Sequence, residues 1–77
     1  MRVVKIEWID ASYNSSSYDK YDVREFGPVT LETVGWLVEE RPDCYILAME
    51  LHPRDNFRYL CSIPKSGVVK VTGLRVR

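Results

Sequence analysis

Apolar residues in the segment 29–74 fall in short runs, separated by charged or proline-containing turns. No amphipathic stretch of helical length fits among them. The pattern predicts β-strands following one another directly. Val29 to Glu39 is a long strand in which Gly35 marks a bulge or a strong bend. Glu40-Arg41-Pro42-Asp43 is a turn, since a proline without an N–H has no place inside a ladder. Cys44 to Leu51 is a nearly continuous apolar run, as expected of a strand buried on both faces or placed centrally. After a turn at His52-Pro53-Arg54-Asp55-Asn56, Phe57 to Ile63 forms the next strand. Pro64-Lys65-Ser66-Gly67 is a one-turn connector, and Val68 to Val76 closes the sheet.

Ahead of this cluster the pattern is looser. From Val3 to Ile9, Val4, Ile6 and Trp8 share one face while Lys5 and Glu7 take the other, as a half-buried strand requires. Trp8 and Trp36, each inside an apolar strand, are expected in the core. Residues 10–28 are rich in Ser, Asp and Tyr and hold no persistent period. They read as one long loop, with a turn of helix near Tyr21 to Phe26. Loops beyond about a dozen residues are uncommon in compact domains, which draws attention to this one.

Length allows one domain, spanning 1–77, with a single thin core. Oligomerisation is the natural way to enlarge it. Cys44 and Cys61 lie inside strands with no secretory leader before them, so reduced, buried thiols are expected. No run is long enough to cross a bilayer, which makes a soluble, intracellular protein the expectation, with no membrane partner. Formal charge is zero, yet residues 1–40 hold eight acidic and four basic side chains, and residues 41–77 three and seven. A −4 half joined to a +4 half either balances across neighbouring strands or lets subunits meet by charge. A neutral chain lacks the basic field that dominates non-specific nucleic-acid binding.

The strand succession, ending in Ile-Pro-Lys-Ser-Gly before the last strand, resembles the small SH3-like and Sm-like barrels over residues 29–76. The fold expected is therefore all-β, a strongly bent antiparallel barrel with an N-terminal strand and a long Ser/Tyr-rich loop. The phrases EWIDAS at 7–12, PVTLETVGWLVEE at 28–40 and IPKSGVVKVTGL at 63–74 resemble a group of short bacteriophage and prophage proteins. These begin with a Trp-x-Asp strand, continue to a Val-Gly-Trp-Leu strand and finish with Ile-Pro-Lys. The loop of this chain departs from them in its Ser and Tyr content. The resemblance implies a phage origin and an accessory role, and brings no catalytic residues.

Candidate chemistry is sparse. One histidine, His52, sits before a proline in a turn, and neither cysteine has a second histidine to activate it, so no enzyme is expected. One His and two Cys seventeen residues apart do not make a zinc site, and no metal or other cofactor is expected. Glu39, Glu40 and Asp43 read as a solvated charged turn before they read as a cation site. Tyr13, Tyr18 and Tyr21, interleaved with Ser12 and its serine and asparagine neighbours, have the chemistry of an adaptable binding surface. The alternative is a connector packed on the outside of the barrel. Asp10, at a strand end, either caps a turn or accepts a bond from a ligand. Arg54, Arg58 and Lys65, together with Lys70, Arg75 and Arg77, offer a basic patch for phosphate groups, with ordinary solvated charge as the plainer account.

Three functions follow as expectations. The first is a non-enzymatic, homo-oligomeric phage module that docks a host protein or sequesters a small anionic, nucleotide-like ligand, as in counter-defence. The second is an Sm-like binder of single-stranded nucleic acid. The third is a minor structural or assembly component of a phage.

Overall fold

In the computed structural model the described residues are 1–11, 17, 19–54 and 56–75, with backbone alone for 21, 22 and 25. They form five antiparallel strands and almost no helix: β1 (Val3–Asp10), β2 (Val29–Glu40), β3 (Cys44–His52), β4 (Asn56–Pro64) and β5 (Val68–Leu74). A six-residue helix, α1 (Lys20–Glu25), precedes β2, and a 3₁₀ turn, Lys65–Gly67, separates β4 from β5. The helical turn, the strand succession and the one-turn connector all stand where the sequence places them. Among the described residues no helix is long and apolar enough to cross a membrane.

The strands make one sheet in the order β4-β3-β2-β1-β5. It is not closed into a barrel, which corrects the expectation of closure. β4 and β5 are its two edges, unpaired with each other. Tyr59, in the middle of β4, takes a left-handed backbone at φ 56°, and β4 ends on Pro64, which has no N–H to give. That edge is a poor template for a continuous ladder.

β2 is the corner of the sheet. At twelve residues it is about 40 Å long, and it divides its pairing. Val29 to Trp36 pair with β1, whereas Trp36 to Glu40 pair with β3, so Trp36 alone is paired on both sides. Bulges sharpen the bend. Val38 is the extra residue between Leu37 and Glu39, and Val69 is the extra residue where β5 meets Trp8. The bulge expected at Gly35 therefore lies three residues further on. Gly35 serves a different need: a Cβ there would sit 2.9 Å from the Ala48 carbonyl oxygen and 3.3 Å from the Leu47 Cβ. Without a side chain, β3 packs close against β2 at the bend.

The bend lets one face of the sheet fold on itself. Val4, Ile6 and Trp8 of β1 meet Leu47 of β3 and Ile63 of β4 in the core, with Leu37, Tyr45, Met49, Cys61, Val68 and Val71 packed around them. Four of these, Val4, Ile6, Leu47 and Ile63, are fully buried. Burial of such a side chain is worth roughly 1.5–3 kcal/mol. The Trp8 indole N–H donates to the Thr33 hydroxyl at 2.9 Å, which satisfies the one polar atom the ring brings inside. Trp36 does not join this cluster. Its register partner Val3 lies beside buried Val4, so Trp36 points to the opposite, outer face, where it is half-buried.

Candidate functional surface

The structure disperses the residues of the expected basic patch. Register places Arg58 opposite Glu50 on the outer face, where its Nε lies 3.6 Å from a Glu50 carboxylate oxygen and its guanidinium stacks 5.3 Å from the Tyr59 ring centre. Arg54 lies beyond the His52–Asn56 pair at the tip of the β3–β4 hairpin, in a left-handed conformation at φ 75°. Lys65 sits past the other end of β4, seven residues from Arg58, or about 23 Å of extended chain. The three cations lie at different levels of one hairpin and do not converge on a common point.

Lys65 is also occupied. Its ammonium donates to Glu40 at 2.8 Å and lies 5.0 Å from the centre of the Tyr45 ring. The hydrogen bond to Glu40 raises its pKa above the ordinary lysine value, with partial desolvation working against the shift. Its backbone N–H donates to the Asp43 carbonyl at 2.8 Å. On the same turn Arg41 donates to Glu39 at 3.1 Å, and that bond raises its guanidinium in turn. Glu39 and Glu40 of this turn are thus each paired with a cation. Among the described residues no group of three or more His, Cys, Asp and Glu side chains is placed to hold a metal ion.

Asp10 ends β1, and its carboxylate accepts the backbone N–H of the next residue, Ala11, at 2.8 Å. Ser12, Tyr13, Tyr18 and Arg77 lie outside the described residues, and Tyr21 is described only by its place in the α1 backbone. Cys44 and Cys61 are free. Register puts Cys44 opposite Pro64 and Cys61 opposite Leu47, on opposite faces of the sheet, so adjacent strands hold them without bringing their sulfurs together. His52 bonds through Nδ1 to the neighbouring Pro53 carbonyl at 2.7 Å.

What the structure does assemble is apolar. Direct register partners share a face, and one cross-strand row runs the full width of the sheet: Leu60, Ala48, Trp36, Val3 and Leu74. Register places all five on the face opposite Val4 and Ile6, where Ala48 is nonetheless fully buried and Val3 and Trp36 are half-buried. Leu60 and Leu74 are 61% and 38% exposed, and Val34, on the same face one row away, is 48% exposed. The sequence carries a signal for this row. Val3-Val4, Gly35-Trp36-Leu37 and Leu60-Cys61 are neighbouring apolar residues where a strand with one solvated face would alternate.

No family model, no curated protein and no solved structure matches the chain.

Proposed function

We propose that the chain is a non-enzymatic docking module that works as a homo-oligomer and binds a host protein as an accessory of a bacteriophage. One observation carries this most directly: apolar side chains remain exposed on strands of a well-formed sheet, while Arg58 and Lys65, two of the three cations expected to greet an anion, are engaged by Glu50 and Glu40. Apolar side chains left exposed on sheet strands are the chemistry of a protein contact. Among the described residues there is no enclosed pocket to receive a small molecule within one chain. The strand succession and the 3₁₀ turn before β5 support an SH3-like or Sm-like shape in an open form. The Trp-x-Asp, Val-Gly-Trp-Leu and Ile-Pro-Lys phrases support the phage setting and, with it, a place in counter-defence in the host cytoplasm.

The experiment is crosslinking in a bacterial host, followed by titration of the purified chain with the purified crosslinked protein. A saturable one-to-one complex of defined stoichiometry is expected. Native mass spectrometry of the same preparation decides the competing functions. A retained nucleotide, with a rise in melting temperature on adding it, would replace docking with ligand sequestration. Binding of single-stranded RNA that weakens steeply with salt would replace it with nucleic-acid recognition.

A further inference from the structure

We propose, resting on the homo-oligomeric module above, that the open edge of β5 pairs with β5 of a second copy of this chain. The two strands run antiparallel about a two-fold axis at Thr72, and two five-stranded sheets become one of ten strands.

The two edges of the sheet are not equivalent. β4 carries the left-handed Tyr59 and ends on Pro64, so its outward N–H and C=O groups do not form an even row. β5 has neither obstacle. It contains no proline and no residue at positive φ, Gly73 included, and its one bulge lies at Val69, where the strand begins. From there Lys70 to Leu74 pair with β1 residue for residue, Lys70 with Glu7 through to Leu74 with Val3. A strand paired on one side presents N–H and C=O groups on the other, and a second β-strand satisfies them. A head-to-tail assembly needs two regular edges, and this sheet has one. A single usable edge meets its own copy across a two-fold axis, and the assembly closes at two.

The side chains fix the axis. Thr72 is the midpoint of the even run 70–74, so a two-fold axis there matches the run with itself completely. Thr72 then faces its own copy, a pairing that suits hydroxyl hydrogen bonds across strands. Val71 lies beside Gly73 of the second copy, on the face of Ile6 and Val4. There is room for it, since a Cβ at Gly73 would meet nothing within 4 Å. Lys70 lies beside Leu74 of the second copy and keeps Glu7 as its neighbour within the chain. Neighbouring axes fit less well. One at Lys70 sets two lysines directly opposite each other, and one at Val71 draws the Val69 bulge into the ladder. Lys70, the only charge in the run, thus guards the edge against a slipped register and tolerates this one.

The pairing also extends the core. Val71 already packs against the cluster of Val4, Ile6, Trp8, Leu47 and Ile63. In the ten-stranded sheet the row Ile6–Val71 continues into Gly73 and Val4 of the second copy, so two thin cores share one apolar face. The edge is complementary to itself, and a chain of zero formal charge is not held apart from its copy by repulsion.

The test is a charge swap at the axis, read by sedimentation equilibrium of the full chain across micromolar concentrations. The wild-type chain is expected at twice its 9.0 kDa. Thr72→Lys brings two ammonium groups face to face and is expected to weaken association roughly tenfold or more. Thr72→Glu is expected to weaken it less, because Lys5 stands beside residue 72 in each copy. An equimolar mixture of the two variants is expected to associate more tightly than either alone, because the mixed pair sets opposite charges at the axis. Leu60→Lys, at a 61% exposed residue of the β4 edge, is expected to leave association unchanged. Amide hydrogen exchange of the wild type gives a second readout: protection at 70–74 is expected to rise with protein concentration. Far-UV circular dichroism confirms that each variant folds, and if Thr72→Lys does not, hydrogen exchange decides. A wild-type mass of one copy throughout overturns the pairing and the homo-oligomer with it, and leaves docking of a host protein in place. Association without gain on mixing, with unmoved exchange at 70–74, or weakened by Leu60→Lys overturns the two-fold β5 contact while the homo-oligomer stands.

Discussion

Gly35→Ala tests the packing of the bend on which the whole architecture depends. A methyl group at residue 35 would approach the Met49 Cε to 2.6 Å, the Ala48 carbonyl oxygen to 2.9 Å and the Leu47 Cβ to 3.3 Å. Met49 is flexible and moves at little cost. The Ala48 carbonyl is backbone, fixed in a strand paired with both β2 and β4, so β3 must shift away from β2. Over-packing of this kind costs about 1–3 kcal/mol, and the smaller unfolded-state entropy of alanine returns about 0.5–1 kcal/mol. The net loss is centred on about 1.25 kcal/mol and reaches at most about 2.5 kcal/mol. At about 2.1 cal/mol/K per residue, the unfolding entropy of a chain this size converts that to a fall in melting temperature of about 8 °C at the centre and at most about 15 °C. The assay is thermal unfolding followed by circular dichroism at one fixed protein concentration, because association would itself shift the midpoint. Gly73→Ala is the internal control: it lies in β5, and its Cβ meets nothing within 4 Å. It should be neutral or raise the melting temperature slightly. Equal effects of the two substitutions, or no loss at Gly35, would refute close approach of β3 as the reason for a glycine at the bend.

Four further outcomes follow from the same geometry. Ile6→Ala removes a fully buried side chain from the centre of the core and should cost about 2–5 kcal/mol in urea denaturation, whereas Val69→Ala, on a 63% exposed bulge, should change little. Trp8→Phe loses the indole bond to Thr33; Thr33→Val leaves that N–H without its partner, so each should destabilise by about 1–2 kcal/mol and the pair by less than the sum. Arg54→Gly relieves a left-handed residue in an exposed turn and should be neutral or stabilising by up to about 1 kcal/mol, readable as a higher urea midpoint. The Lys65–Glu40 bond carries a pH signature. Because the folded chain raises Lys65 above 10.5, its contribution is full below that pH while Glu40 is ionised, and is lost as pH rises through the raised value. The difference in melting temperature between wild type and Lys65→Met should therefore hold across neutral pH and vanish in strong alkali. A difference that disappears near neutrality would show that the bond does not form.

Local chemistry made the strands legible in the chain. Alternation identified Val4, Ile6 and Trp8 as one buried face, Pro42 and Pro53 marked turns because they cannot pair, and Pro64-Lys65-Ser66-Gly67 marked the 3₁₀ connector. Those features depend on a few neighbouring residues and on backbone geometry alone. Which edges stay open, where the strands bend, and which charges meet depend on register between distant segments. Gly35 was visible as a special position, but its reason is the Ala48 carbonyl thirteen residues away. Arg54, Arg58 and Lys65 looked like one cluster because they are close in sequence, yet an extended strand separates neighbours by about 3.3 Å per residue and spreads them along the hairpin. Lys65 found its carboxylate at Glu40, twenty-five residues away. Trp36 was apolar in an apolar strand, and period two could not say which of two apolar faces would be inside. The fold of β1 onto β3 and β4 chose the face of Val4 and Leu47, and left Trp36 on the other, in a row with Leu60 and Leu74 that no single segment contains.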